Sequence, residues 1–415
     1  MAQSYLKDIA TKVQIDRVME RIGLLAEMAR DSTGGVTRLA FSPQEADATQ
    51  LLANWMEKAG LTITFDAIGN MFGSTDGNAS NVGTVGAGSH LDTVPNGGAF
   101  DGVLGAVGAL EAIEAMKAAG YRPKTPLEIV VWRCEEAALF GQGRLGSLYY
   151  TGELSLETIR SWEKPDLPLS RYLEQAAGLL QREPSRFLRS YLELHIEQGR
   201  RLEISNTPIG VVTAIPGATR WQINISGRAD HSGATPMGHR RDALCAAAEL
   251  VLAVEKVGME ERGNETVATA TSIRTLPGAW NVVPGWAQIL TDIRGIDQAS
   301  IDRTLESIRK ISGEIAVRRQ VGITVEEVTR GKPVQLDEQI VGQIESVALT
   351  LGHPAIRMPS GAGHDAQTIA PYSPTGMIFV PSIDGISHAP EENTKPEDIE
   401  AGVQVLAATW ALLAG

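Results

Sequence analysis

The stretch Gly88-Ser89-His90-Leu91-Asp92-Thr93-Val94-Pro95-Asn96-Gly97-Gly98-Ala99-Phe100-Asp101-Gly102-Val103-Leu104-Gly105 decides the interpretation of the whole sequence. It follows the apolar run from Val82 to Ala87, which predicts a buried strand, and it leads into a segment of helical periodicity. Open α/β sheets place their sites at such junctions. Because buried ionised groups are costly unless they are paired or bound to metal, we interpret His90 and Asp101 as metal ligands. A surface loop with turn-forming aspartates is the alternative.

The composition predicts a globular protein with two domains, because 415 residues exceed the usual size of one compact domain. A formal net charge of -13 without any basic run argues against nucleic-acid and anionic-membrane partners. Residues 1–11 lack a signal-type apolar core and no run of about eighteen apolar residues occurs, so we expect a soluble cytoplasmic protein. The two cysteines, Cys134 and Cys245, form no C-x-x-C pair and are interpreted as small buried residues.

Strand and helix patterns alternate around the opening stretch, as in a parallel α/β sheet. Before it, the sequence predicts a helix over 13–30, a helix that starts at the capping box Ser42-Pro43-Gln44-Glu45 and stops at Gly60, and a strand over 61–68. After it, the sequence predicts a helix over 104–120, a buried strand over 127–132, a helical region over 153–190 and a strand over 191–197.

The pattern changes near Val212 to the order β-α-β-β-α-β, which is typical of a ferredoxin-like α+β unit. Its predicted elements lie at about 221–225, 242–257, 266–275, 284–293, 300–317 and 322–329. We assign residues 214–329 to this inserted unit, and residues 1–213 and 330–415 to a discontinuous α/β domain. The last part of the chain predicts a helix over 336–351, a strand over 377–380 and a closing helix that starts at the capping box Thr394-Lys395-Pro396-Glu397.

Six ionisable residues end or follow predicted strands, so one sheet edge can gather them: His90, Asp101, Glu135, Glu136, His195 and His388. Imidazole and carboxylate groups are typical ligands of zinc, manganese or cobalt in sites that keep a position open for water. Two metals about 3.5–4 Å apart need one bridging carboxylate and terminal ligands for each metal. Five of the six residues satisfy that count, and one of the adjacent glutamates remains as a general base. Asp92, two residues after His90, is placed to accept the other imidazole N–H and to fix the tautomer.

Several motifs in the same order resemble those of the amidase, hydantoinase/carbamoylase family, which belongs to the broader group of di-zinc aminoacylases and carboxypeptidases. They are Ser89-His90-Leu91-Asp92-Thr93-Val94-Pro95, Phe100-Asp101-Gly102, Glu135-Glu136, Leu194-His195-Ile196-Glu197-Gln198-Gly199, Ala229-Asp230-His231-Ser232-Gly233-Ala234-Thr235-Pro236-Met237 and Ser387-His388. The match covers nearly the whole chain. It implies a mixed-sheet, exopeptidase-like di-metal catalytic domain with an inserted ferredoxin-like domain that serves as lid and dimerisation domain.

The resemblance also implies roles for individual residues. Two divalent metal ions, zinc or else manganese, cobalt or nickel, would be held by His90, Asp101, Glu136, His195 and His388, with Asp101 as the bridge. Glu135 would be the general base, and His231 of the partner subunit in a homodimer would stabilise the tetrahedral oxyanion. Substrate would be bound by Gln198, Arg220, Asn281, Arg294, Ser360 and Gly361. Arg294 follows a predicted strand and suits an α-carboxylate, although Asp292 is an alternative ion-pair partner for it.

One departure concerns the segment after the glutamate pair. Members of the family commonly continue with Gly-Ser-Arg-Phe, whereas this chain has Ala137-Ala138-Leu139-Phe140 and so loses a hydroxyl and a cation. The departure leaves the implied metal ligands intact, so it bears on substrate preference rather than on metal binding.

The leading functional hypothesis is a metal-dependent amidohydrolase that cleaves the ureido C–N bond of an N-carbamoyl-L-amino acid or a related ureide and releases ammonia and carbon dioxide. The alternatives are an allantoate amidohydrolase, a dipeptidase or aminoacylase that cleaves an ordinary amide, a catalytically idle relative used as a binding module, and an amidase with Cys134 as nucleophile.

Overall fold

A computed structural model describes residues 2–76, 83–162, 169, 170, 173 and 188–415 of the chain. It divides into two compact units, the first comprising Met1–Thr213 and Leu336–Gly415 and the second Ala214–Gln335. The sequence places the second boundary at 329/330, but the inserted unit continues to Gln335 because Val334–Gln335 form a short strand that pairs with Ala214–Ile215.

The strands are, in chain order, β1 (Thr62–Phe65), β2 (Met71–Ser74), β3 (Val85–His90), β4 (Leu127–Trp132), β5 (Ser190–Ile196), β6 (Ile209–Val212), β7 (Ala214–Ile215), β8 (Gly217–Ser226), β9 (Asp230–His231), β10 (Val267–Leu276), β11 (Val282–Val283), β12 (Trp286–Gly295), β13 (Gly322–Arg330), β14 (Val334–Gln335), β15 (Ala355–Met358) and β16 (Thr375–Val380). The α-helices are α1 (Ala2–Ala10), α2 (Ile15–Glu27), α3 (Pro43–Lys58), α4 (Val103–Ala118), α5 (Leu145–Thr151), α6 (Leu156–Arg160), α7 (Arg201–Ser205), α8 (Ala243–Glu261), α9 (Gln298–Arg319), α10 (Glu338–Leu351), α11 (Asp365–Ile369) and α12 (Pro396–Ala414).

The first unit is built on an eight-stranded mixed sheet with the order β1-β2-β4-β3-β5-β16-β6-β15. Its four central strands, β4, β3, β5 and β16, run parallel to one another and are buried along their whole length. The predicted α/β class with a mixed sheet is confirmed. Because the carboxyl ends of the four parallel strands meet at one edge, residues at those ends are brought together.

The opening stretch differs from its prediction in one respect. The predicted strand runs from Val82 to Ala87, but β3 runs from Val85 to His90, and Val82 lies outside the described residues. Gly88 allows β3 to lie close to β4, because a Cβ at Gly88 would meet the Val130 carbonyl oxygen at 1.8 Å. His90 is therefore the last residue of a rigid central strand rather than part of a loop.

The segment predicted as one strand over 61–68 is the first arm of a hairpin. β1 ends at Phe65, and the Asp66 carboxylate then accepts the backbone N–H groups of Ile68, Gly69 and Asn70, so the chain turns into β2. Gly69 has a φ of +93°, which glycine adopts readily. Two antiparallel strands therefore extend the parallel sheet at this side.

The second unit has a four-stranded antiparallel sheet with the order β10-β12-β8-β13. With α8 after β8 and α9 after β12, it follows the ferredoxin-like order that the sequence predicts. Its core is made by alternate residues of the strands and by one stripe of each helix: Trp221, Ile223, Ile225, Ala246, Leu250, Val254, Ile289, Ile293, Ile301, Leu305 and Ile308 are all buried.

Several local predictions need correction or lie partly outside the description. Ser42 caps α3 as expected, but the cap residue of α12 is Lys395, one residue after Thr394, and no side chain caps that helix. Cys134 is buried, whereas Cys245 is exposed because it lies on the outer side of the first turn of α8.

Of the helical region predicted over 153–190, α6 is present and most of the remainder lies outside the described residues. In the described ranges, no helix combines the length and apolar character that a membrane crossing requires.

Candidate active site

The ends of the four parallel strands bring five of the predicted residues together. His90 ends β3, Glu136 follows β4, His195 lies on β5 and His388 follows β16, while Asp101 lies in the loop between β3 and α4. They form two groups of possible metal ligands, His90 with Asp101 and His195, and Asp101 with Glu136 and His388, and the ligand atoms of each group lie within 4.8 Å of one another. Asp101 belongs to both groups.

The two carboxylate oxygens of Asp101 serve different groups. Its Oδ1 lies 3.4 Å from His90 Nε2 and 3.3 Å from His195 Nε2. Its Oδ2 lies 3.2 Å from His388 Nε2, which is in turn 3.3 Å from Glu136 Oε1. A carboxylate that shares its oxygens in this way has the form of a bridge between two cations.

The hydrogen bonds on the far side of the imidazole rings fit metal binding. His90 Nδ1 lies 2.9 Å from the Asp92 carbonyl oxygen, and His195 Nδ1 lies 2.9 Å from the Ile196 carbonyl oxygen, so each Nδ1 is placed to donate. The Gly102 N–H donates to His195 Nε2 at 3.1 Å, which requires a lone pair on that nitrogen. In the neutral rings, Nε2 is therefore the nitrogen that carries the lone pair, and both Nε2 atoms lie within 3.4 Å of Asp101 Oδ1. Such an arrangement of lone pairs around a common point fits a divalent cation.

The charges of this cluster are strongly perturbed by burial. Burial opposes ionisation of Asp101, but His195, His388 and His90 together lower the pKa of Asp101 well below its ordinary value. His388, which is about half exposed, has its pKa raised to about 10 by hydrogen bonds to Asp101 and Glu136. The cluster therefore favours a positive charge next to an ionised Asp101, which a cation also supplies.

Glu135 lies beside the first group without belonging to it. Its Oε2 is 4.0 Å from His90 Nε2, and its side chain is 12% exposed. Burial, followed by the charges of Glu136, Asp365 and Asp92, raises the pKa of Glu135 well above its ordinary value, although His90 acts in the opposite direction. A carboxyl group with a raised pKa is suited to accept and return a proton near neutral pH.

The structure corrects the role expected for Asp92. The atom of Asp92 that meets His90 Nδ1 is its carbonyl oxygen, and the carboxylate lies 3.7 Å from that nitrogen. The carboxylate instead accepts the backbone N–H of Glu135 at 3.1 Å and that of Glu136 at 3.0 Å. Asp92 therefore orients His90 through its backbone and the glutamate pair through its side chain.

Gln198, predicted to bind substrate, lies against the same cluster. Its Nε2 donates to Asp101 Oδ2 at 2.6 Å, and its backbone N–H donates to Ser382 Oγ at 3.0 Å. Gln198 has a φ of +58°, and its buried Oε1 has no hydrogen-bond partner within the described ranges. The Gln198 amide thus contacts Oδ2, the Asp101 oxygen that faces the second group. Its own Oε1 remains available as an acceptor.

Ser360 and Gly361 lie in a loop that supports His364. Ser360 Oγ accepts the N–H of Ala362 and lies 3.0 Å from His364 Nε2, and the His364 ring packs edge-on against His195 with ring centres 4.6 Å apart. Burial lowers the pKa of His364 well below its ordinary value, and the neighbouring His195 lowers it further. The His364 ring that packs against His195 is therefore neutral.

The remaining predicted residues belong to the second unit. Arg220 on β8 and Arg294 on β12 both contact Asp292, with Arg220 Nε 3.1 Å from Oδ2 and Arg294 Nε 2.7 Å from Oδ1. Arg294 is thus paired with Asp292, the alternative partner that the sequence predicts. The backbone carbonyl oxygen of Asn281 accepts the Ser232 N–H, next to the exposed His231.

His231 has a defined tautomer. Its Nδ1 accepts the N–H groups of Gly233 and Ala234, each at 3.1 Å. The proton of the neutral ring therefore lies on Nε2, which is available as a hydrogen-bond donor.

Sequence reasoning missed three buried carboxylates near the cluster: Glu193, Asp365 and Glu392. Glu193 accepts from Ser89 Oγ and from the Ala366 N–H, and Asp365 accepts from Ser147 Oγ. Glu392 accepts the backbone N–H groups of Phe100 and Asp101. Two features of the sequence indicate such carboxylates. Glu392 lies four residues after His388, and Glu193 lies two residues before His195 on a buried strand.

The segment that departs from the family pattern belongs to a separate apolar cluster. Leu139 and Phe140 pack with Phe41, Cys134 and Leu145, and the Phe140 and Phe41 rings lie 6.2 Å apart. Leu139, one of the three replaced positions, and the retained Phe140 therefore contribute apolar contacts at the side of the glutamate pair.

Comparisons with known proteins agree with this architecture. An N-carbamoyl-L-amino acid amidohydrolase from Geobacillus stearothermophilus is 37% identical over 413 residues, covering 97% of this chain and 100% of the relative. A ureidoglycolate hydrolase from Arabidopsis thaliana is 36% identical, with 98% and 88% covered, and an allantoate amidohydrolase from Bacillus subtilis is 33% identical, with 94% and 95% covered.

A solved structure, an amidase of the hydantoinase/carbamoylase family from Burkholderia multivorans, superposes with a TM-score of 0.92 at 34% identity, covering 97% of this chain and 98% of that chain. The profile of the peptidase family M20/M25/M40 matches residues 86–411, which include all five clustered residues. The chain therefore belongs to the peptidase family M20/M25/M40, and within it the chain is similar to the hydantoinase/carbamoylase amidases.

Proposed function

We propose that this protein is a metal-dependent amidohydrolase that cleaves the ureido C–N bond of N-carbamoyl-L-amino acids or a related ureide. Water adds to the ureido carbonyl, the bond to the amino acid nitrogen breaks, and the carbamate that forms decomposes to ammonia and carbon dioxide. The observation that carries the proposal is the pair of ligand groups that share Asp101, with Glu135 beside them. The similarity to N-carbamoyl-L-amino acid amidohydrolases over nearly the whole chain supports it.

We assign two divalent metal ions to this cluster. His90 and His195 would hold one, Glu136 and His388 the other, and Asp101 would bridge them. When bound, such ions polarise the ureido carbonyl and lower the pKa of a water molecule to about 7. Zinc is the default for this ligand set, and manganese, cobalt and nickel share the same preference for imidazole and carboxylate.

Glu135 is the proposed general base. Its carboxylate takes the proton of the attacking water and returns it to the leaving nitrogen, so the same group acts in both halves of the reaction. Asp92 orients this base, because its carboxylate fixes the backbone N–H groups of Glu135 and Glu136.

The second unit supplies the proposed binding groups for substrate. Arg294 and Asn281 of this unit would bind the α-carboxylate, and Arg220 is a further proposed substrate-binding residue. In the first unit, the proposed substrate-binding residues are Gln198, Ser360 and Gly361. A guanidinium binds a carboxylate with two parallel hydrogen bonds, and Asp292 holds both guanidinium groups in place. His231 of the partner subunit would donate from Nε2 to the oxyanion that forms on the carbonyl.

We propose that the second unit joins two copies into a homodimer. Leu252 and Met259 are exposed on one face of α8, and Val267 and Ile273 are exposed on β10, an edge strand that packs beside α8. An edge strand with exposed apolar residues is suited to association with a second copy. Light scattering of the double variant Leu252→Glu, Met259→Glu should report a monomer, whereas Val317→Glu, a still more exposed site on α9, should remain dimeric. A wild-type monomer would contradict this part of the proposal.

Two other activities compete with the proposal. Allantoate is a ureide, and one relative carries the name of an allantoate amidohydrolase. A dipeptidase or aminoacylase would use the same metals on an ordinary amide. A thiol nucleophile is disfavoured, because Cys134 is buried and its burial raises the pKa of the thiol well above its ordinary value.

The deciding experiment is a substrate screen with the metal-reconstituted protein. N-carbamoyl and N-acetyl derivatives of the same L-amino acids are compared with allantoate by measuring release of the amino acid and of ammonia. We expect turnover of N-carbamoyl substrates that is lost in chelator and restored by zinc, manganese, cobalt or nickel. Turnover of the acetyl forms alone, or activity that survives complete removal of metal, would overturn the proposal.

A further inference from the structure

The three residues of the second ligand group all lie on loops, with Glu136 in the segment that follows β4. Asp101 lies between β3 and α4, and His388 lies between β16 and α12. His388 has a φ of +57°, a left-handed backbone conformation that residues other than glycine rarely adopt. Its side chain is 47% exposed. Such a residue keeps its position only when its surroundings determine it. The first group differs, because His90 and His195 both lie on central strands.

Glu392 joins the two loops. Its Oε1 accepts the Phe100 N–H at 2.9 Å and the Asp101 N–H at 3.1 Å, so one oxygen fixes two consecutive peptide units next to the proposed bridge. Its Oε2 lies 2.7 Å from the hydroxyl of Ser387, the residue before His388. The side chain is buried, with 5% of the residue exposed, and hydrogen bonds to a charged acceptor in such surroundings are among the stronger ones.

The hydroxyl of Ser387 closes the connection. Its oxygen lies 2.7 Å from Glu392 Oε2 and 3.0 Å from Asp101 Oδ2, and its single proton can go to only one of them at a time. The shorter distance favours donation to Glu392. Asp101 Oδ2, which already accepts from Gln198, then keeps a lone pair free on the side of the second group.

The carboxylate of Glu392 packs tightly against the backbone of Gly98. A Cβ at Gly98 would lie 2.1 Å from Glu392 Oε1 and 2.2 Å from its Cδ, so the carboxylate lies directly on the Gly98 backbone. Gly98 has no positive φ that would exclude alanine, so a methyl group there would displace Glu392 without removing it.

We propose that Glu392 is a positioning residue that locks the Asp101 loop to the Ser387-His388 segment and thereby sets the metal affinity of the second ligand group, Asp101 with Glu136 and His388. It touches neither the substrate nor the reacting atoms. The first ligand group depends on it less, because two of its members are fixed by strands. This inference rests on the proposed function in one respect, the presence of two metal ions.

The test is a metal titration of four variants after removal of metal with a chelator. Manganese binding is measured by calorimetry, and the metal retained after dialysis is counted by elemental analysis. We expect Glu392→Ala to bind one equivalent with little change and the second about 10- to 100-fold more weakly. Gly98→Ala should weaken the same equivalent, although it keeps the carboxylate.

Two variants serve as controls. Glu392→Gln retains an oxygen for both N–H groups and an amide for the Ser387 oxygen, so its affinity for the second equivalent should remain closer to wild type than that of Glu392→Ala. Gly23→Ala on α2 meets open space and should bind both equivalents as wild type does. The unfolding temperature of each metal-free variant is measured alongside.

The outcomes separate the possibilities. Wild-type affinity for both equivalents in Glu392→Ala and Gly98→Ala would overturn the inference. Equal weakening of both equivalents, together with a lower unfolding temperature, would also overturn it, because it would indicate a general structural role. If Glu392→Ala does not fold, Gly98→Ala against Gly23→Ala decides the matter. A wild-type protein that binds no divalent metal would instead contradict the proposed function itself.

Discussion

The carboxylate of Asp92 accepts the backbone N–H of Glu136 at 3.0 Å, and with its other oxygen it accepts the N–H of the preceding residue. One side chain on the loop after β3 thus fixes the segment after β4, which carries both the proposed base and a proposed metal ligand. Asp92 is buried, and its burial raises the pKa of the carboxyl to about 6.

Asp92→Asn should lower kcat more than it lowers metal content. An asparagine presents one oxygen and one NH2 group, so one of the two N–H groups faces a donor and loses its acceptor. We expect a loss of about 10- to 100-fold in kcat with KM little changed, measured by steady-state kinetics on the metal-loaded protein. Unchanged kcat would contradict a positioning role for the carboxylate. Asp76→Asn, on an exposed turn, is the control.

Glu135→Gln should retain its metal and lose turnover. The amide has nearly the shape of the carboxylate but cannot accept a proton, so the expected loss in kcat is about 10²- to 10⁴-fold. Metal content by elemental analysis should equal that of wild type, because Glu135 lies outside both ligand groups. A variant with normal turnover would rule out Glu135 as the base.

Alkylation with N-ethylmaleimide should add one adduct per chain and leave activity intact. Cys245 is exposed and accessible to the reagent, whereas Cys134 is fully buried. Intact-mass measurement should show one adduct in wild type and none in Cys245→Ser. Inactivation that parallels modification of Cys134 would revive the thiol-nucleophile alternative.

The second unit should contain an acid-sensitive ion pair. Hydrogen bonds from Arg319 and Arg318 lower the pKa of Glu249 from 4.5 to about 2. A lowered pKa in the folded state stabilises the fold above the unfolded value of 4.5, and this contribution disappears as the pH falls through about 2. Glu249→Gln should therefore be less stable than wild type at pH 7, by less than about 1 kcal/mol because the pair is near the surface.

Urea unfolding at pH 7 and at pH 3 checks this expectation. The difference between wild type and Glu249→Gln should shrink at the lower pH. A difference that grows on acidification would show that the sign of the pKa shift is wrong.

The sequence predicts that the proposed metal ligands cluster, because most of them obey a simple rule. His90, Glu136, His195 and His388 all end or follow strands, and parallel strands bring their carboxyl ends to one edge. Periodicity is sufficient to find those strands, so the positions of these residues follow without knowledge of any contact.

Side-chain hydrogen bonds between distant segments follow no such rule. Sequence spacing predicts that the Asp92 carboxylate meets His90. A carboxylate accepts from any donor within reach, however, and two backbone N–H groups after β4 need an acceptor and donate to it instead. The role of Glu392 does not follow from the sequence, because two of its partners, the N–H groups of Phe100 and Asp101, lie almost three hundred residues earlier in the chain.

The pattern of apolar and polar residues also does not predict the β1–β2 turn or the exposure of Cys245. The hairpin between β1 and β2 depends on the local hydrogen bonds of Asp66, which a run of alternating residues does not reveal. The exposure of Cys245 depends on which side of α8 faces the sheet of its unit, and a single cysteine gives too weak a signal to decide that.

The strand order has a consequence for biosynthesis. β16 lies between β5 and β6 in the sheet, yet it is the last strand to be made, after the whole of the inserted unit. On the ribosome, β5 therefore waits for its neighbour until residues 375–380 emerge, whereas the inserted unit is complete far earlier. Truncation before β16 should leave a nascent chain that exposes two apolar strand edges, and such chains are the ones that chaperones and proteases select.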